Sequence, residues 1–315
     1  MEMDFELTPE QAALEQAVFD FGKKEIVPNL SNEEFNRELV RKMGSLGFFG
    51  CAFPLGMGGT DFGSLTHSMV CEIVSTYDSG LRSLFNLQAL TVPYTIMEWG
   101  NEAVRKKYVT PLILAEKLGC TCFSEPNAGS DIAAIETQVT DKGDHYVLNG
   151  TKTWISNGTL ADYALVYCTH DQSLRHNGLC AIVVETNQPG WQASEIKKLG
   201  DKSSPIAEIF LDDVIAPKEN LLGEWGGGFK IAMAALDRGR ISVASGALGI
   251  CQACLNDSVK YANERKQFGR PIRDYQMVKQ IIADMTTYLE AARLLVRWAA
   301  WRNDQGLPYT REIAI

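Results

Sequence analysis

Residues 121–158, TCFSEPNAGSDIAAIETQVTDKGDHYVLNGTKTWISNG, contain two motifs from which the fold and function of the chain can be predicted. The first motif, residues 123–131, places a carboxylate, a proline and several small residues in a turn. The second, residues 149–158, begins and ends with Asn-Gly, a dipeptide that supplies the positive φ angles of tight hairpin turns. Main-chain amides and hydroxyls beside an indole suit a flat ligand with polar edges, although an ordinary β-domain with a buried tryptophan would show the same pattern.

Short alternating runs of apolar and polar residues extend around these motifs, from Cys120 to about Ile215. Turn residues separate the runs at intervals of roughly 8–12 residues, which is typical of a sandwich or barrel. The flanking sequence instead repeats its apolar residues at helical spacing. Before the β unit, the pattern predicts helices at residues 9–26, 32–46, 64–77, 81–99 and 102–118. After it, the pattern predicts helices at residues 229–264 and 276–302.

The chain is therefore predicted to be an α+β multidomain protein. An N-terminal all-α domain of residues 1–119 precedes a central antiparallel β-barrel or sandwich domain of residues 120–222, and a C-terminal helical bundle occupies residues 223–315. Small residues recur along the first helix of the bundle and predict close packing against a neighbouring helix. A further helix begins near Tyr309 and has no cap or closing turn before Ile315, so we expect the bundle to be incomplete and the natural protein to be longer.

The composition argues against several classes of function. A formal net charge of −9, without a concentrated Lys/Arg face, argues against a nucleic-acid partner. No apolar run approaches the length of a membrane-spanning helix, and the acidic N-terminus resembles neither a secretory signal nor a transit peptide. The eight cysteines are scattered and are expected to be reduced core residues, which indicates a cytoplasmic protein. The four histidines are not spaced as metal ligands, so no metal is expected.

Five motifs in one order resemble the acyl-CoA dehydrogenase family of flavoproteins. They are TCFSEPNAGSD (121–131), NGTKTWISNG (149–158), FLDDVIAPKENLLG (210–223), ALDRGRISVASGALG (235–249) and ERKQFGRP (264–271). Each motif alone is a weak signal, and their shared order over almost the whole chain makes the resemblance specific. The resemblance implies an FAD-dependent enzyme that acts on an acyl-CoA thioester. It also implies a homo-oligomer, expected to be a tetramer, with an electron-transfer flavoprotein as the usual electron acceptor.

The resemblance further implies roles for the residues at matching positions in the β unit. Phe123 and Ser124 match residues whose backbone and hydroxyl groups hydrogen-bond the flavin pyrimidine edge. Trp154 matches the indole that packs against the isoalloxazine, and Ser156 matches the hydroxyl beside flavin N5. Ser130 matches a position near the pyrophosphate or the pantetheine end of the acyl-CoA. These five residues form the predicted ligand site of the β unit.

Two further groups of residues match positions in the C-terminal helical region. Arg265, Gln267 and Phe268 match a segment that reaches the FAD of a neighbouring subunit, where the arginine guanidinium contacts the pyrophosphate. Asp237 and Arg240 match residues that hold the pantetheine and CoA end. Without the resemblance, an acid and an arginine three residues apart on a helix indicate a surface pair.

The implied reaction is α,β-dehydrogenation of an acyl thioester, in which a carboxylate removes the α-proton and a hydride leaves the β-carbon for flavin N5. Family members carry this base at one of two positions. One directly precedes the arginine that matches Arg240, where this chain has Gly239, which cannot act as a base. The other lies in a Tyr-Glu-Gly type segment near the C-terminus, which does not occur before Ile315. The catalytic base is therefore expected beyond the end of this sequence.

Arg82 bears on the choice of substrate. As a residue type alone, an arginine at the start of a helix indicates an ion pair with a nearby acid. In the glutaryl-CoA dehydrogenase branch, the matching arginine grips the distal carboxylate of the substrate, and residues 80–96 are similar to that branch. Enzymes of the same branch that act on cyclic acyl-CoA thioesters are equally close in pattern. Two substrate classes therefore remain as alternatives: glutaryl-CoA-like substrates, and cyclic or branched short acyl-CoAs. Straight-chain fatty acyl-CoAs are less favoured than either.

Two alternatives of other classes are compatible with the sequence. A flavin oxidase or monooxygenase could use the same fold with a flavin open to oxygen. A non-catalytic subunit could share the fold and help to build the FAD site of a partner, because Gly239 leaves one base position without a carboxylate. Uptake of FAD and reoxidation of the reduced flavin in air would separate these alternatives from a dehydrogenase.

Overall fold

The structure is a computed structural model that describes residues 7–30 and 34–315. These residues form two compact units. The helical unit contains the described part of Met1–Ser31 together with Phe62–Arg82 and Arg240–Ile315. The sheet unit contains the described part of Asn32–Asp61 together with Ser83–Gly239.

Helices precede and follow one central sheet, which confirms the predicted α+β multidomain layout. The α-helices in chain order are α1 (Pro9–Phe21), α2 (Arg37–Ser45), α3 (Gly63–Tyr77), α4 (Arg82–Phe85), α5 (Pro93–Trp99), α6 (Glu102–Ile113), α7 (Gly228–Glu264), α8 (Gln276–Asp304) and α9 (Thr310–Ala314). The strands are β1 (Gly119–Cys122), β2 (Gln138–Asp141), β3 (His145–Ser156), β4 (Tyr163–Thr169), β5 (Leu179–Glu185), β6 (Trp191–Ile196), β7 (Ile206–Pro217), β8 (Leu221–Leu222), β9 (Lys266–Gln267) and β10 (Arg270–Pro271).

Helix α1 begins where its capping residues predict. The Thr8 hydroxyl accepts the Gln11 N–H, and the Gln11 side chain accepts the Thr8 N–H, so that two otherwise unpaired donors are satisfied. The helix predicted at residues 32–46 begins later than expected, because the Asn36 side chain caps α2 by accepting the Leu39 N–H. The first residues of that predicted helix, 32 and 33, lie outside the described residues.

The stretch predicted as one helix at residues 81–99 is helical, but it is not a single α-helix. The chain forms the short helix α4, then a π-helical segment, Asn86–Thr91, and then α5, which starts at Pro93. Proline has no N–H to donate to the preceding turn and its ring clashes with the carbonyl four residues earlier, so the helix is interrupted at this point. A π-helical segment is rare and often marks a functional position.

Strands β1 to β8 form one sheet in the order β6-β7-β3-β2-β4-β5-β8, with β1 paired to β4. Most pairings are antiparallel, as predicted. However, β1 and β2 each run parallel to β4, through the register Gly119↔Tyr163 and Gln138↔Thr169. The sheet is therefore mixed at its centre, which the alternating pattern of the sequence does not reveal because the pattern reports which face is buried and not which strands pair.

The hairpin predicted at Asn149-Gly150 does not form. Strand β3 runs through both residues, and the pairing with β7 shifts register between Leu148 and Gly150, as in a β-bulge. Gly150 has a φ of 152°, and an added β-carbon would lie 2.6 Å from the Thr137 Oγ1. The Asn149-Gly150 dipeptide thus forms a β-bulge here and not a hairpin turn. The second dipeptide does form a turn, with Asn157 at a φ of 61°.

Both faces of strands β4 and β5 are buried. Leu165 and Tyr167 pack with α5 and α6 in one core of the sheet unit, whereas Val166 and Cys168 pack in a second core with β3 and β7. Because helices cover one face and strands cover the other, these two strands are apolar without interruption.

In the helical unit, small residues of α7 allow other elements to approach closely, as the sequence predicted. An added β-carbon at Gly249 would lie 2.1 Å from the Glu72 carbonyl oxygen on α3. A half-buried ion pair joins α3 to α8, with the Arg293 Nε 2.8 Å from the Glu72 Oε1. The structure has no helix, among residues 7–30 and 34–315, that is long and apolar enough to cross a membrane.

All eight cysteines are free thiols. Six of them are buried, as predicted for reduced core residues. Cys251 and Cys254 are the exceptions, because both lie on exposed positions of α7. Their C-x-x-C spacing falls inside a continuous helix, as the sequence indicated.

Candidate active site

A buried ion pair connects the two sequence motifs of the sheet unit. The Lys152 ammonium, on β3, lies 2.7 Å from the Glu125 Oε1, in the turn that follows β1. The side chains are 0% and 3% exposed. Burial by itself would raise the pKa of Glu125, but the neighbouring Lys152 charge and the hydrogen bonds to the carboxylate outweigh it, so the pKa of Glu125 lies below its usual value. The carboxylate is therefore ionised in the folded chain.

Trp154 projects from β3 directly after this pair. The register of β3 against β7 shifts between Lys152 and Ile155, so Trp154 lies in a second bulge. Its backbone has a φ of 60°, which is uncommon for a bulky residue, and its side chain is 62% exposed. A large apolar ring held outward by a strained backbone is a surface that a flat ligand can cover.

The turn that contains Phe123 and Ser124 lies beside this bulge. The Ser124 carbonyl accepts the Thr153 N–H at 2.9 Å. The Phe123 ring stacks on Tyr167, with ring centroids 4.0 Å apart and planes 13° from parallel. The structure thus brings Phe123 and Ser124 next to the strand that carries Trp154.

The remaining predicted serines of the sheet unit differ in their exposure. Ser156 is half-buried near the end of β3, two residues beyond Trp154, while Ser130 is exposed in the turn before residues 132–134. Next to Ser130, the Asp131 carboxylate pairs with the Arg175 guanidinium at 2.8 Å. Arg175 has a φ of 51° and forms a kink in the 3₁₀-helical segment Gln172–Gly178.

Arg82 lies at the start of α4 and is partly buried in the helical unit. An added β-carbon at Gly246 would lie 2.1 Å from its Cγ and 2.2 Å from its Cδ, so its aliphatic stem packs against bare helix backbone. Within the part of the helical unit that the structure describes, no carboxylate forms an ion pair with Arg82. The intramolecular ion pair that the residue type alone favours is therefore not found there.

Gly239, on α7, is buried in the sheet unit. A β-carbon at this position would lie 2.9 Å from the Asn86 Oδ1 and 3.2 Å from the Thr91 Cγ2, both in the π-helical segment. The Asn86 Oδ1 is buried and accepts no hydrogen bond from the described residues of the sheet unit. A glutamate at position 239 would therefore displace Asn86.

The other predicted substrate residues, Asp237 and Arg240, lie on the same helix. Asp237 is half-buried and Arg240 is exposed. Both make interactions within the chain. Their roles in binding CoA stay predictions.

Arg265, Gln267 and Phe268 lie at a small hairpin formed by β9 and β10. All three side chains are exposed, and Phe268 is 94% exposed at a φ of 50°. The hairpin is held by the Tyr275 hydroxyl, which donates to the Gln267 carbonyl at 2.8 Å. An apolar ring and a cation displayed on a short rigid hairpin suit contact with another molecule.

Comparison with known proteins identifies the family of the chain. The model of the acyl-CoA dehydrogenase N-terminal domain matches residues 8–116, that of the middle domain matches residues 120–214, and that of the C-terminal domain matches residues 226–315. The chain belongs to the acyl-CoA dehydrogenase family. Members of this family are FAD-dependent oxidoreductases that act on a CH–CH bond.

Among relatives in the acyl-CoA dehydrogenase family, a glutaryl-CoA dehydrogenase of Desulfococcus multivorans is 45% identical over 312 residues, covering 96% of this chain and 80% of the relative. A short-chain specific acyl-CoA dehydrogenase of Megasphaera elsdenii is 38% identical over 322 residues, covering 99% and 84%. A solved glutaryl-CoA dehydrogenase in complex with glutaryl-CoA superimposes with a TM-score of 0.93 at 45% identity, covering 96% of this chain and 78% of that one.

Two other solved structures show the functional range of this fold. One is described as an electron transferring flavoprotein of Acidaminococcus fermentans and matches with a TM-score of 0.96 at 38% identity, covering 99% of this chain and 83% of that one. The other is the prolyl acyl carrier protein oxidase AnaB, with a TM-score of 0.93 at 28% identity, covering 98% and 84%. A solved structure at lower identity is thus that of an oxidase.

Glu125 and Lys152 were not assigned a role from the sequence. One signal for Lys152 was present, because it shares the inward-facing phase of β3 with Tyr146 and Leu148. A lysine in that phase requires a buried partner. The partner could not be chosen, because Glu125 is 27 residues away and resembles any exposed turn residue.

Proposed function

We propose that the protein is an FAD-dependent dehydrogenase that introduces a Cα–Cβ double bond into a short dicarboxylic acyl-CoA of the glutaryl-CoA type. Arg82 carries this proposal. Its guanidinium has no carboxylate partner among the described residues of the helical unit, and its stem packs against Gly246. An arginine held in this way suits the distal carboxylate of a ligand, which it can bind through two parallel hydrogen bonds. The 45% identical relative is named for the same substrate class.

The residues of the sheet unit fit the ring system of FAD. The exposed Trp154 indole offers a flat apolar surface. The Ser124 N–H has no acceptor among the described residues, and its half-buried hydroxyl adds a second polar group for a carbonyl edge. Ser156 provides another hydroxyl on the same strand. FAD, when bound, accepts the hydride from the substrate β-carbon.

The described residues supply binding and orientation. Gly239 has no ionisable side chain and cannot remove the α-proton. We do not assign this step to any of the described residues, 7–30 and 34–315. Arg82 would hold the distal end of the acyl chain, while Ser130, Asp237 and Arg240 would contact the CoA portion. Fixing both ends of the substrate restricts its reacting carbons to one position, which lowers the entropic part of the barrier.

We further propose that the protein is a homotetramer in which Arg265, Gln267 and Phe268 complete the FAD site of a neighbouring subunit. Their exposure on a hairpin supports this assignment. A guanidinium offers the fork of donors that a pyrophosphate accepts. For the electron acceptor we propose an electron-transfer flavoprotein.

The proposal is tested by binding and turnover of an acyl-CoA panel, with glutaryl-CoA, butyryl-CoA and a cyclic acyl-CoA. Binding is read from the absorbance change of the flavin, and turnover from an artificial electron acceptor. Arg82→Ala should weaken glutaryl-CoA binding by roughly 30-fold or more, because a charged pair is lost. The binding of butyryl-CoA, which has no distal carboxylate, should weaken by less than about threefold.

Arg41→Ala is the control, because it removes an exposed arginine on α2. Equal losses for glutaryl-CoA and butyryl-CoA in Arg82→Ala would remove the dicarboxylate assignment. A parent protein that prefers the cyclic thioester would instead support the cyclic acyl-CoA class. Rapid reoxidation of the reduced flavin by air in the presence of product would indicate an oxidase.

A further inference from the structure

The buried pair of Glu125 and Lys152 is satisfied on every side. The Lys152 ammonium donates to the Glu125 Oε1 at 2.7 Å, to the Phe123 carbonyl at 3.2 Å and to the Tyr167 carbonyl. These bonds use all three of its protons. The Glu125 carboxylate also accepts the N–H groups of Glu136 at 2.6 Å and Thr137 at 3.0 Å.

Stability alone does not require a buried ion pair with all its hydrogen bonds made. Apolar residues of similar volume in place of a buried ion pair are often neutral or stabilising, whereas loss of one partner is costly. The pair therefore calls for an explanation in terms of what it orients. Its main-chain acceptors are the carbonyls of Phe123 and Tyr167, the two residues whose rings stack.

The geometry at Phe123 has a consequence for Ser124. A trans peptide is planar, and its C=O and N–H point in opposite directions. Because the Phe123 carbonyl points at the Lys152 ammonium, the Ser124 N–H of the same peptide points away from the pair. No described residue accepts this N–H. The contact between the ammonium and the Phe123 carbonyl thus leaves the Ser124 N–H as an open donor that points away from the ion pair.

The turn that Lys152 contacts is also bonded to the strand that carries the indole. Directly after Lys152, the Thr153 N–H donates to the Ser124 carbonyl, and the chain bulges at Trp154. The turn at residues 123–125, which the Lys152 side chain contacts, is therefore joined to β3 directly before the bulge.

We propose that Glu125 and Lys152 are positioning residues that orient the Ser124 N–H and the Trp154 indole for the flavin. This inference rests on the proposed function, since it assumes that FAD occupies this side of the sheet unit. Lys152 holds the geometry, while Glu125 cancels the charge of the ammonium so that no net charge lies beneath the ligand.

The test compares Lys152→Met, Glu125→Gln and the control Asn220→Ala with the parent. Asn220 is also buried in the sheet unit, and its side chain donates to the Tyr108 hydroxyl and the Val183 carbonyl. All three changes should lower the thermal midpoint. Four properties are measured: the dissociation constant for FAD, the visible circular dichroism of the bound flavin, its reduction potential, and hydrogen exchange of Thr153 in the FAD-free protein.

Lys152→Met should weaken FAD binding by about tenfold or more, accelerate exchange at Thr153 and change the flavin dichroism. Glu125→Gln keeps the shape of the side chain but leaves the ammonium unbalanced. It should raise the flavin potential, because a positive charge favours the more negative reduced form. Asn220→Ala should leave the dichroism and the potential as in the parent.

A parent that takes up FAD, combined with unchanged dichroism, potential and FAD affinity in both Lys152→Met and Glu125→Gln, would overturn this inference alone. If Lys152→Met fails to fold, Glu125→Gln decides through the potential. A parent that takes up no FAD would overturn the proposed function and this inference together.

Discussion

His67 is a fully buried histidine on α3, and its Nε2 lies 2.5 Å from the Ser242 hydroxyl oxygen on α7. Burial disfavours the charged imidazolium and lowers the pKa of His67 to about 3. The unfolded chain takes up this proton near the ordinary pKa of about 6.5. Between these two values the unfolded state binds more protons than the folded state, so folding stability falls as the pH falls.

His67→Gln tests this linkage, because glutamine keeps a polar group near Ser242 but does not titrate. The free energy of unfolding is measured in urea at pH values from about 7 to 4.5. The parent should lose up to about 1.4 kcal/mol more per pH unit than the variant over this range. Parallel pH dependences in the two proteins would contradict the burial of a neutral imidazole.

The partner that a residue type predicts can differ from the partner found in the structure, and Arg82 is an example. The sequence favours an ion pair for an arginine in an apolar stretch, since buried charges are usually paired. In the described part of the helical unit, no carboxylate pairs with Arg82, and Gly246 packs against its stem. Without coordinates, neither the absence of an acid nor the contact with Gly246, which lies 164 positions later in the chain, could be predicted.

At the scale of elements, the small residues of α7 determine where Arg82 can lie. Gly246→Ala adds a methyl group 2.1 Å from the Arg82 Cγ, so the arginine stem must shift. The charge is kept but its position changes. We expect the preference for glutaryl-CoA over butyryl-CoA to fall by about tenfold or more.

The preference is measured as the ratio of kcat/KM for the two substrates. Gly200→Ala is the matched control, because a β-carbon there has no neighbour within 4 Å and the ratio should not change. An unchanged ratio in Gly246→Ala, with FAD uptake intact, would show that Arg82 does not determine selectivity.

Strand β3 shows how much of the element pattern the sequence reveals. Its alternation correctly predicts a strand with Lys152 and Trp154 on it, because period-2 patterns report burial. Asn149-Gly150 predicts a hairpin turn before these residues, since this dipeptide is a strong hairpin signal. The pairing of β3 with β7 overrides this local signal. The Asn149 side chain exchanges hydrogen bonds with Asp213 on β7, and the strand continues through a bulge.

Gly150→Ala should therefore destabilise the sheet unit. The residue has a φ of 152°, and its new methyl group would meet the Thr137 side chain and Cα at 2.6–2.9 Å. We expect a loss of about 2 kcal/mol or more in the free energy of unfolding, from strain and overpacking. Gly143→Ala is the comparison, because Gly143 also has a positive φ of 96° but no neighbour within 4 Å. Equal losses would show that steric contact with Thr137 is unimportant.

At the scale of the whole molecule, the proposed tetramer has support in the helical unit. Helix α8 exposes several large apolar side chains along its length, including Met277 at 79%, Ile281 at 58% and Tyr288 at 74%. These residues recur at helical spacing and share one side of α8. A row of this kind, unlike single scattered side chains, is typical of an interface.

A complementation experiment decides whether one FAD site is built from two chains. Arg265→Ala should weaken FAD retention, and Trp154→Ala should weaken it separately, while Lys266→Ala serves as an exposed cationic control on the same hairpin. If Arg265 and Trp154 of one site come from different chains, a pair containing one of each variant has one site with both residues intact. Its other site carries both changes.

Random co-assembly of the two variants should therefore restore roughly one quarter of the FAD sites, because half of the pairs are mixed and each has one intact site of two. The restored fraction is measured as tightly bound flavin per chain after gel filtration. Each variant alone should retain little flavin under the same conditions. No recovery in the mixture, with mixed assemblies confirmed by mass, would mean that each chain builds its own site and that the exposed hairpin serves another contact.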